Sequence, residues 1–308
     1  MGVFLLILLQ VIFPVFALLG LGALLHRRLR FDPRTLSRLT GSVLLPALVF
    51  ANLYEARFEA ALVLQVALFL LLQNGLLMIA VEAAARWLRL EARTASTFRN
   101  SIVLFNSGNF GLPVSQLVFA AQPVGMSIQI IVTLFQTLVT NTYGLFNAMR
   151  VEAPGWRALR GLFFNPIVLA MLAGIAFQAT GVRLPDFVWR PIDTVASAFL
   201  AVALFTLGAQ IAGLRLRRPS LPLLLTAAGR LLVSPALALG LILALGLQGV
   251  TAQALLIAGS FPCSRNMAQF AMEYGNDPDY AAEAVLLTTL LSSLTVAATV
   301  FAAQRLFA

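Results

Sequence analysis

The 308-residue sequence contains no lysine, one histidine and one cysteine, and only 11% of its residues are charged. The lone Cys263 excludes an intrachain disulfide and a cysteine-based metal site. His26 adjoins Arg27 and Arg28, which suits a helix end better than a metal ligand. Because candidate acids, bases, nucleophiles and metal ligands are so few, we expect no enzyme activity, no metal and no cofactor.

Apolar residues take the place of the missing charge. They make up 60% of the sequence, and the mean hydropathy is +0.92. These values exclude a soluble globular protein and predict an integral membrane protein. The net charge of +9 comes from arginines in short links between apolar runs, rather than from one basic face. We therefore expect no nucleic-acid binding.

Ten apolar segments are each close to the ~20 residues that cross the hydrocarbon core of a membrane. They are Val3–Leu25, Leu36–Leu53, Ala60–Ala80, Ala95–Phe119, Val124–Ala148, Leu159–Thr180, Phe187–Ala212, Leu221–Leu245, Thr251–Met272 and Ala281–Ala303. The first lacks a basic stretch before it and is followed by Arg27 and Arg28, so we expect a retained helix rather than a signal peptide. The sequence thus predicts an all-α integral membrane protein of ten transmembrane helices.

The arginines predict how these helices are oriented. Fifteen of them follow segments 1, 3, 5 and 7: Arg27, Arg28, Arg30, Arg34, Arg38, Arg86, Arg89, Arg93, Arg99, Arg150, Arg157, Arg160, Arg215, Arg217 and Arg218. Only Arg57, Arg183, Arg190 and Arg305 lie at the other end of the segments. The positive-inside rule assigns the arginine-rich side to the cytoplasm and both termini to the outside.

Two segments are interrupted in the middle. Segment 4 contains LFNSGNFGLPVSQLVFA over Leu104–Ala120, and segment 9 contains LLIAGSFPCSRNMAQFAM over Leu255–Met272. Glycine weakens a helix and proline removes a hydrogen-bond donor, so both helices should break. Since lipid cannot satisfy freed backbone groups, such breaks survive only inside protein or beside a polar cavity. Paired broken helices in two halves of a chain are typical of secondary transporters.

The two halves, residues 1–149 and 150–308, show signs of repetition. A shift of 152 residues brings Pro14 and Gly22 onto Pro166 and Gly174. The same shift brings the polar stripe of segment 5 onto polar residues of segment 10; we count Gln136, Thr140, Asn141, Thr288 and Ser292 as supporting residues of the site. Because five helices are an odd number, the second half should be inverted relative to the first. Helix-to-helix packing is the alternative explanation of the stripe.

The breaks supply the candidate substrate-binding residues: Asn106, Asn109, Pro113, Gln116, Pro262, Ser264, Arg265 and Asn266. Amides beside an opened backbone can contact a substrate or can join neighbouring helices. An arginine inside a membrane is costly and favours an anionic substrate, such as a carboxylate held by two hydrogen bonds. The alternatives are that Arg265 pairs with Glu273 or extends to the membrane surface. Arg230 is a second internal cation, with Glu82 as its candidate partner.

The interrupted segments resemble the auxin efflux carrier family. The resemblance rests on NSGNFGLP at positions 106–113 and on Pro262, Asn266 and AMEYGND at 271–277. It implies a prokaryotic inner-membrane carrier with a 5+5 inverted repeat and crossed, broken helices 4 and 9. It also implies a scaffold of helices 1, 2, 6 and 7, dimeric in many members, and a mobile transport domain of helices 3–5 and 8–10. In the plant members, asparagines at the crossing bind the substrate carboxylate, a role that Asn106 or Asn109 and Asn266 match.

We therefore expect a secondary transporter that moves a small organic anion by an elevator-like alternation. No carboxylate lies at the middle of a segment, so the sequence leaves sodium coupling, proton coupling and uniport open. A channel of the same fold and a solute-sensing membrane receptor are the alternative functions.

Overall fold

The computed structural model describes residues 2–55, 60–149, 166–214 and 220–307, and within these ranges it contains helices and no β-strand. The helices are α1 (Phe4–Leu29), α2 (Pro33–Glu55), α3 (Ala61–Trp87), α4 (Ala92–Val103), α5 (Leu112–Val118), α6 (Pro123–Met149), α7 (Pro166–Thr180), α8 (Asp186–Ile211), α9 (Leu221–Ala244), α10 (Gly249–Ala258), α11 (Arg265–Glu273) and α12 (Pro278–Leu306).

Seven of the described helices are long and apolar enough to cross a membrane: α1, α2, α3, α6, α8, α9 and α12. Helices α7 and α10 are shorter and apolar. The prediction of an all-helical integral membrane protein is therefore confirmed. The start of segment 6 at Leu159 and the boundary between the two halves lie outside the described residues.

Prolines shape several of the long helices. A π-helical turn occupies Leu8–Ile12, Thr40–Leu44 and Gly229–Val233, and Pro14, Pro46 and Pro235 follow these turns by two residues. A proline cannot donate to the carbonyl four residues earlier and its ring crowds that carbonyl. The wider π turn opens the hydrogen-bond ladder there, so these helices continue past the proline without ending.

Segments 4 and 9 are both interrupted, as their glycines and prolines predicted. Segment 4 becomes α4, an extended stretch, a π turn at Ser107–Gly111 and then α5; segment 9 becomes α10, a non-helical link and then α11. At ~1.5 Å per residue, each of the four pieces is about 10–18 Å long. Each piece therefore spans at most a little over half of a hydrocarbon core of ~30 Å.

The two interruptions meet. Phe105 and Cys263 form an isolated antiparallel bridge. The Asn106 amide donates to the Pro262 carbonyl at 2.9 Å, and the Ser264 amide donates to the Leu104 carbonyl at 2.8 Å. The backbone groups that each helix loses at its break are thus partly satisfied by the other break.

Helices α1 and α8 touch through their backbones. A Cβ atom on Gly22 would overlap the carbonyl of Phe205, and one on Gly208 would overlap the carbonyl of Leu19. Small residues at a membrane helix contact allow this close approach. Helix α2 packs against both α7 and α8.

We predict that Gly22→Ala lowers the melting temperature of the purified protein, because the added methyl group forces α1 away from α8. Gly20→Ala is the matched control: it lies two residues away on α1, and no atom lies within 4 Å of its added Cβ. That change should be neutral or slightly stabilising, since alanine favours helix over glycine by ~1 kcal/mol. Equal melting temperatures for the two variants would contradict the proposed contact.

Candidate functional site

A polar cavity of about 360 Å³ lies beside the point where the two interruptions meet. Its wall consists mainly of amide and hydroxyl side chains from both breaks and from α2 and α6. The lining residues are Ser37, Gly41, Leu45, Phe105, Asn106, Ser107, Gly108, Asn109, Thr133, Gln136, Thr137, Thr140, Asn141, Ile167, Ser264, Arg265, Asn266, Gln269 and Phe270.

Eight of the thirteen residues singled out from the sequence line this cavity. They are Asn106, Asn109, Gln136, Thr140, Asn141, Ser264, Arg265 and Asn266. They come from three separate stretches of the chain, which the fold brings to one wall. Two of them carry buried polar atoms that have no hydrogen bond in the structure, the Asn106 side-chain nitrogen and the Gln136 side-chain oxygen. Buried polar atoms usually have a partner, so these two are exceptions beside the cavity.

The other five residues lie elsewhere. Pro113 is buried in the first turn of α5, and Gln116 is half-buried on the same helix. The Pro262 carbonyl is bonded to the Asn106 amide. Thr288 and Ser292 are buried in α12, where both hydroxyls donate to carbonyls of their own helix.

Arg265 is the only charged residue among the described residues that line the cavity. It is the first residue of α11, whose N-terminus is capped by the Ser264 hydroxyl accepting from the Asn266 amide at 3.2 Å. Among the described residues, the half-buried Arg265 side chain forms no hydrogen bond and no ion pair, so the pair with Glu273 is not formed. The guanidinium and the N-terminal end of the α11 dipole both favour negative charge in the cavity.

Polar residues on flanking helices satisfy backbone groups at the breaks. From α6, Gln136 donates to the Val103 carbonyl at 3.5 Å and Thr133 to the Ser107 carbonyl at 3.4 Å. From α12, Thr288 accepts from the Cys263 amide at 3.1 Å. Part of the polar stripe thus compensates for the broken helices, as lipid cannot.

Arg230 on α9 is fully buried and joins the two half-helices that precede the breaks. Its guanidinium donates to the carbonyl of Ile102 at 2.8 Å and to the carbonyl of Gly259, and also to Ser234. Ile102 is in the last turn of α4, and Gly259 is the C-cap of α10. The cation therefore lies at the negative ends of two helix dipoles, which stabilises both ends.

The sequence-based partner of Arg230 was wrong. Glu82 lies 2.7 Å from Arg86 and 2.7 Å from Arg99 and does not pair with Arg230. Besides Ser234 on its own helix, the partners of Arg230 are the backbone carbonyls of Ile102 and Gly259, which no residue pattern reveals.

Sequence reasoning also missed several lining residues. Thr133 and Thr137 continue the polar stripe of α6 by one turn, and Gln269 follows Arg265 by one turn of α11, so their helical spacing could have identified them. Ser37 and Gly41 on α2 and Ile167 on α7 reach the cavity through the tertiary fold alone. No local signal marks them.

Comparison with known proteins identifies the family. A family model described as "Membrane transport protein" matches residues 7–300. The chain belongs to the membrane transport protein family. The resemblance to auxin efflux carriers is thereby confirmed, and the chain is a transporter rather than an enzyme.

Two relatives of this membrane transport protein come from prokaryotes. An "Uncharacterized transporter" of Methanothermobacter thermautotrophicus is 25% identical over 269 residues, which cover 86% of this chain and 87% of that protein. A "Putative malonate transporter" of Rhizobium meliloti is 30% identical over 141 residues, which cover 44% of this chain and 43% of that protein. Family membership implies a small-molecule substrate and a lipid bilayer around this multi-pass protein.

We predict that Arg230→Ala lowers the free energy of unfolding by about 3 kcal/mol or more, since two buried carbonyls lose a charge-assisted donor. Thermal unfolding in detergent, followed by intrinsic fluorescence, measures the effect. Arg305→Ala is the control, because Arg305 is exposed near the end of α12. A wild-type melting temperature for Arg230→Ala would contradict the structural role of this side chain.

Proposed function

We propose that this chain is a secondary carrier that moves a small organic anion, a carboxylate, across the inner membrane of a prokaryote. The observation that carries the proposal is the cavity at the crossing, where Arg265 is the only charged lining residue and has no partner among the described residues. An unpaired guanidinium inside a membrane is unfavourable, and a carboxylate would relieve it through two parallel hydrogen bonds.

The neutral lining groups fit the rest of such a substrate. Asn106 and Asn109 from the first break, together with Asn266 from the second, can donate to carboxylate oxygens that Arg265 leaves free. The partial match to a protein named for malonate transport supports a small carboxylate as the substrate class.

The cavity is arranged for access from one side. Ser37 and Gly41 line it from the first half of α2, which also contains Arg34 and Arg38, and Ile167 lines it from the start of α7. With that side in the cytoplasm and both termini outside, the structure corresponds to an inward-facing state.

An apolar seal closes the opposite side. Leu112 of α5 and Met126 and Ile130 of α6 pack with Leu48 of α2 and Phe199 of α8 in one buried cluster. Apolar contacts of this kind can part without leaving polar groups unpaired. The seal is therefore suited to open when the cavity closes on the cytoplasmic side.

The packing supports an elevator-like division of the chain into a 5+5 inverted repeat. Helices α1, α2, α7 and α8, which correspond to segments 1, 2, 6 and 7, pack against one another and form the proposed scaffold. Helices α3–α6 and α9–α12 contain both breaks and form the proposed transport domain.

Exposed apolar side chains on the scaffold, such as Phe13 and Leu172, leave a surface for a homodimer. Crosslinking in the membrane tests this dimer, and a strictly monomeric protein would exclude it.

Arg230 bears on ion coupling. In sodium-coupled carriers, unwound carbonyls and the C-terminal ends of half-helices coordinate the ion. Here the Arg230 guanidinium already binds the carbonyls of Ile102 and Gly259 at these ends. We therefore propose transport without coupled sodium, and uptake should be equal in sodium and in choline buffers.

Two other functions remain distinguishable by experiment. A channel of the same fold would conduct faster than a carrier turns over and would show no counterflow. A solute-sensing receptor would bind the anion without moving it. The apolar seal beside the closed end of the cavity favours the carrier over an open channel.

We predict that Arg265→Gln lowers malonate uptake into proteoliposomes roughly 100-fold, because two charge-assisted hydrogen bonds of ~1.5–3 kcal/mol each are lost. Asn109→Ala should also lower uptake. Gln116→Ala is the matched control, since Gln116 is an amide near the break that does not line the cavity. Dicarboxylates, amino acids and indole acids complete the substrate panel. Wild-type uptake by Arg265→Gln and Asn109→Ala, with folded protein, would exclude the proposed site.

We also predict one-sided access to Asn266→Cys. An impermeant thiol reagent should modify this cysteine from the cytoplasmic side of membrane vesicles, and transported substrate should slow the reaction. The wild-type chain is the control, because its lone Cys263 is buried and should not react. Modification of this cysteine from the outside alone would contradict the proposed orientation or the inward-facing state.

A further inference from the structure

A second groove lies away from the crossing, between α3, α4 and α6. It consists of two adjoining cavities of about 500 and 460 Å³ that share Glu82, Arg86, Arg99 and Asn147. None of its lining residues lines the cavity at the crossing. The groove is therefore a separate feature of the molecule.

Two guanidinium groups are held together in this groove. The Glu82 carboxylate lies 2.7 Å from the Nε of Arg86 and 2.7 Å from the Nε of Arg99. One carboxylate between two arginines leaves one positive charge in excess. The terminal nitrogens of both arginines, and the hydroxyl of the adjoining Tyr143, form no hydrogen bond with the described residues. These donors can converge on a phosphate group.

The groove also has an apolar wall at the level of the membrane surface. Met78, Ile79 and Phe146 line it, and the side chains of Ile79 and Phe146 are exposed. Trp87 at the end of α3 is 80% exposed, as is typical of an aromatic side chain at the membrane interface. Arg89 in the link to α4 and Arg93 in its first turn outnumber Glu91 and add net positive charge at this end.

We propose that this groove binds the headgroup of an anionic phospholipid of the arginine-rich leaflet. The phosphate lies against Arg86, Arg99 and Tyr143, and an acyl chain lies along Met78, Ile79 and Phe146. Basic pockets between transmembrane helices at the cytoplasmic side recognise anionic headgroups in this way. A free phosphate would match the arginines but would leave the apolar wall uncovered. The combination of both surfaces favours a lipid.

The bound lipid would also support the fold. Arg99 belongs to α4 and Glu82 to α3, so their ion pair joins the first broken helix to its neighbour. The Arg99 side chain is only 17% exposed, and its partner Glu82 also pairs with Arg86. A bound anion would supply the second negative charge that the two arginines lack. We therefore expect the lipid to stabilise the contact between α3 and α4.

Native mass spectrometry and thermal unfolding of the delipidated protein, with added phosphatidylglycerol or phosphatidylcholine, test the proposal. Phosphatidylglycerol should bind tightly and raise the melting temperature. The affinity for phosphatidylcholine should be lower by about tenfold or more. Arg86→Gln and Arg99→Gln should each weaken phosphatidylglycerol binding about fivefold, the value of one arginine near an anionic headgroup. Tyr143→Phe should weaken it less.

Arg190→Gln is the matched control. Arg190 is 79% exposed and pairs with Asp186 four residues away, as the 77% exposed Arg86 pairs with Glu82, but it lies on α8 at the other end of the protein. This variant should bind phosphatidylglycerol as the wild type does. Equal binding by Arg86→Gln, Tyr143→Phe and the wild type would overturn the proposal even if Arg99→Gln fails to fold. Equal stabilisation by inorganic phosphate would indicate an anion site and would overturn the assignment to lipid.

Discussion

The structure depends on how backbone groups freed inside a membrane are satisfied. Two apolar segments break near their middle, and lipid offers no hydrogen bonds to replace those that are lost. Arg230 donates to a carbonyl at the end of each preceding half-helix, while the bridge between Phe105 and Cys263 pairs the extended stretches with each other. Gln136 and Thr288 complete the arrangement from the flanking helices. The breaks are stable because each is satisfied by protein from several directions.

This arrangement makes the two sides of the meeting point of the breaks differ in electrostatic charge. The C-terminal ends of α4 and α10 carry partial negative charge, and the buried Arg230 balances it with a fixed cation. On the other side of the breaks, the N-terminus of α11 carries partial positive charge and Arg265 adds a full one, with no anion among the described residues to balance it. The two internal arginines thus have opposite roles. Arg230 is neutralised within the structure by carbonyl groups, whereas Arg265 carries a positive charge that a bound anion could neutralise.

The sequence predicted the features that depend on local chemistry. Glycines and prolines located both breaks, and the amides and Arg265 beside them line the cavity. Gln116 does not line the cavity, because the chain between Asn109 and Gln116 passes through a π turn, which shifts the helical phase. The partners of Arg230 are backbone carbonyls from two distant helices, and Ser37 and Gly41 reach the cavity only through the packing of α2. Contacts of this kind are set by the tertiary fold and leave no periodic pattern in the sequence.

The polar cavity and the apolar seal are held by different kinds of contact, and this difference bears on the proposed alternation. Around the breaks, hydrogen bonds tie α4, α6, α9, α10 and α12 together, and separating these helices would expose unpaired carbonyls to lipid. Between Leu112, Met126 and Ile130 on one side and Leu48 and Phe199 on the other, the contacts are apolar and non-directional. Sliding one apolar surface over another exchanges equivalent van der Waals contacts and breaks no hydrogen bond. The interior of the broken-helix group should therefore stay intact while its contact with α2 and α8 changes, which is the mechanical condition that alternating access requires.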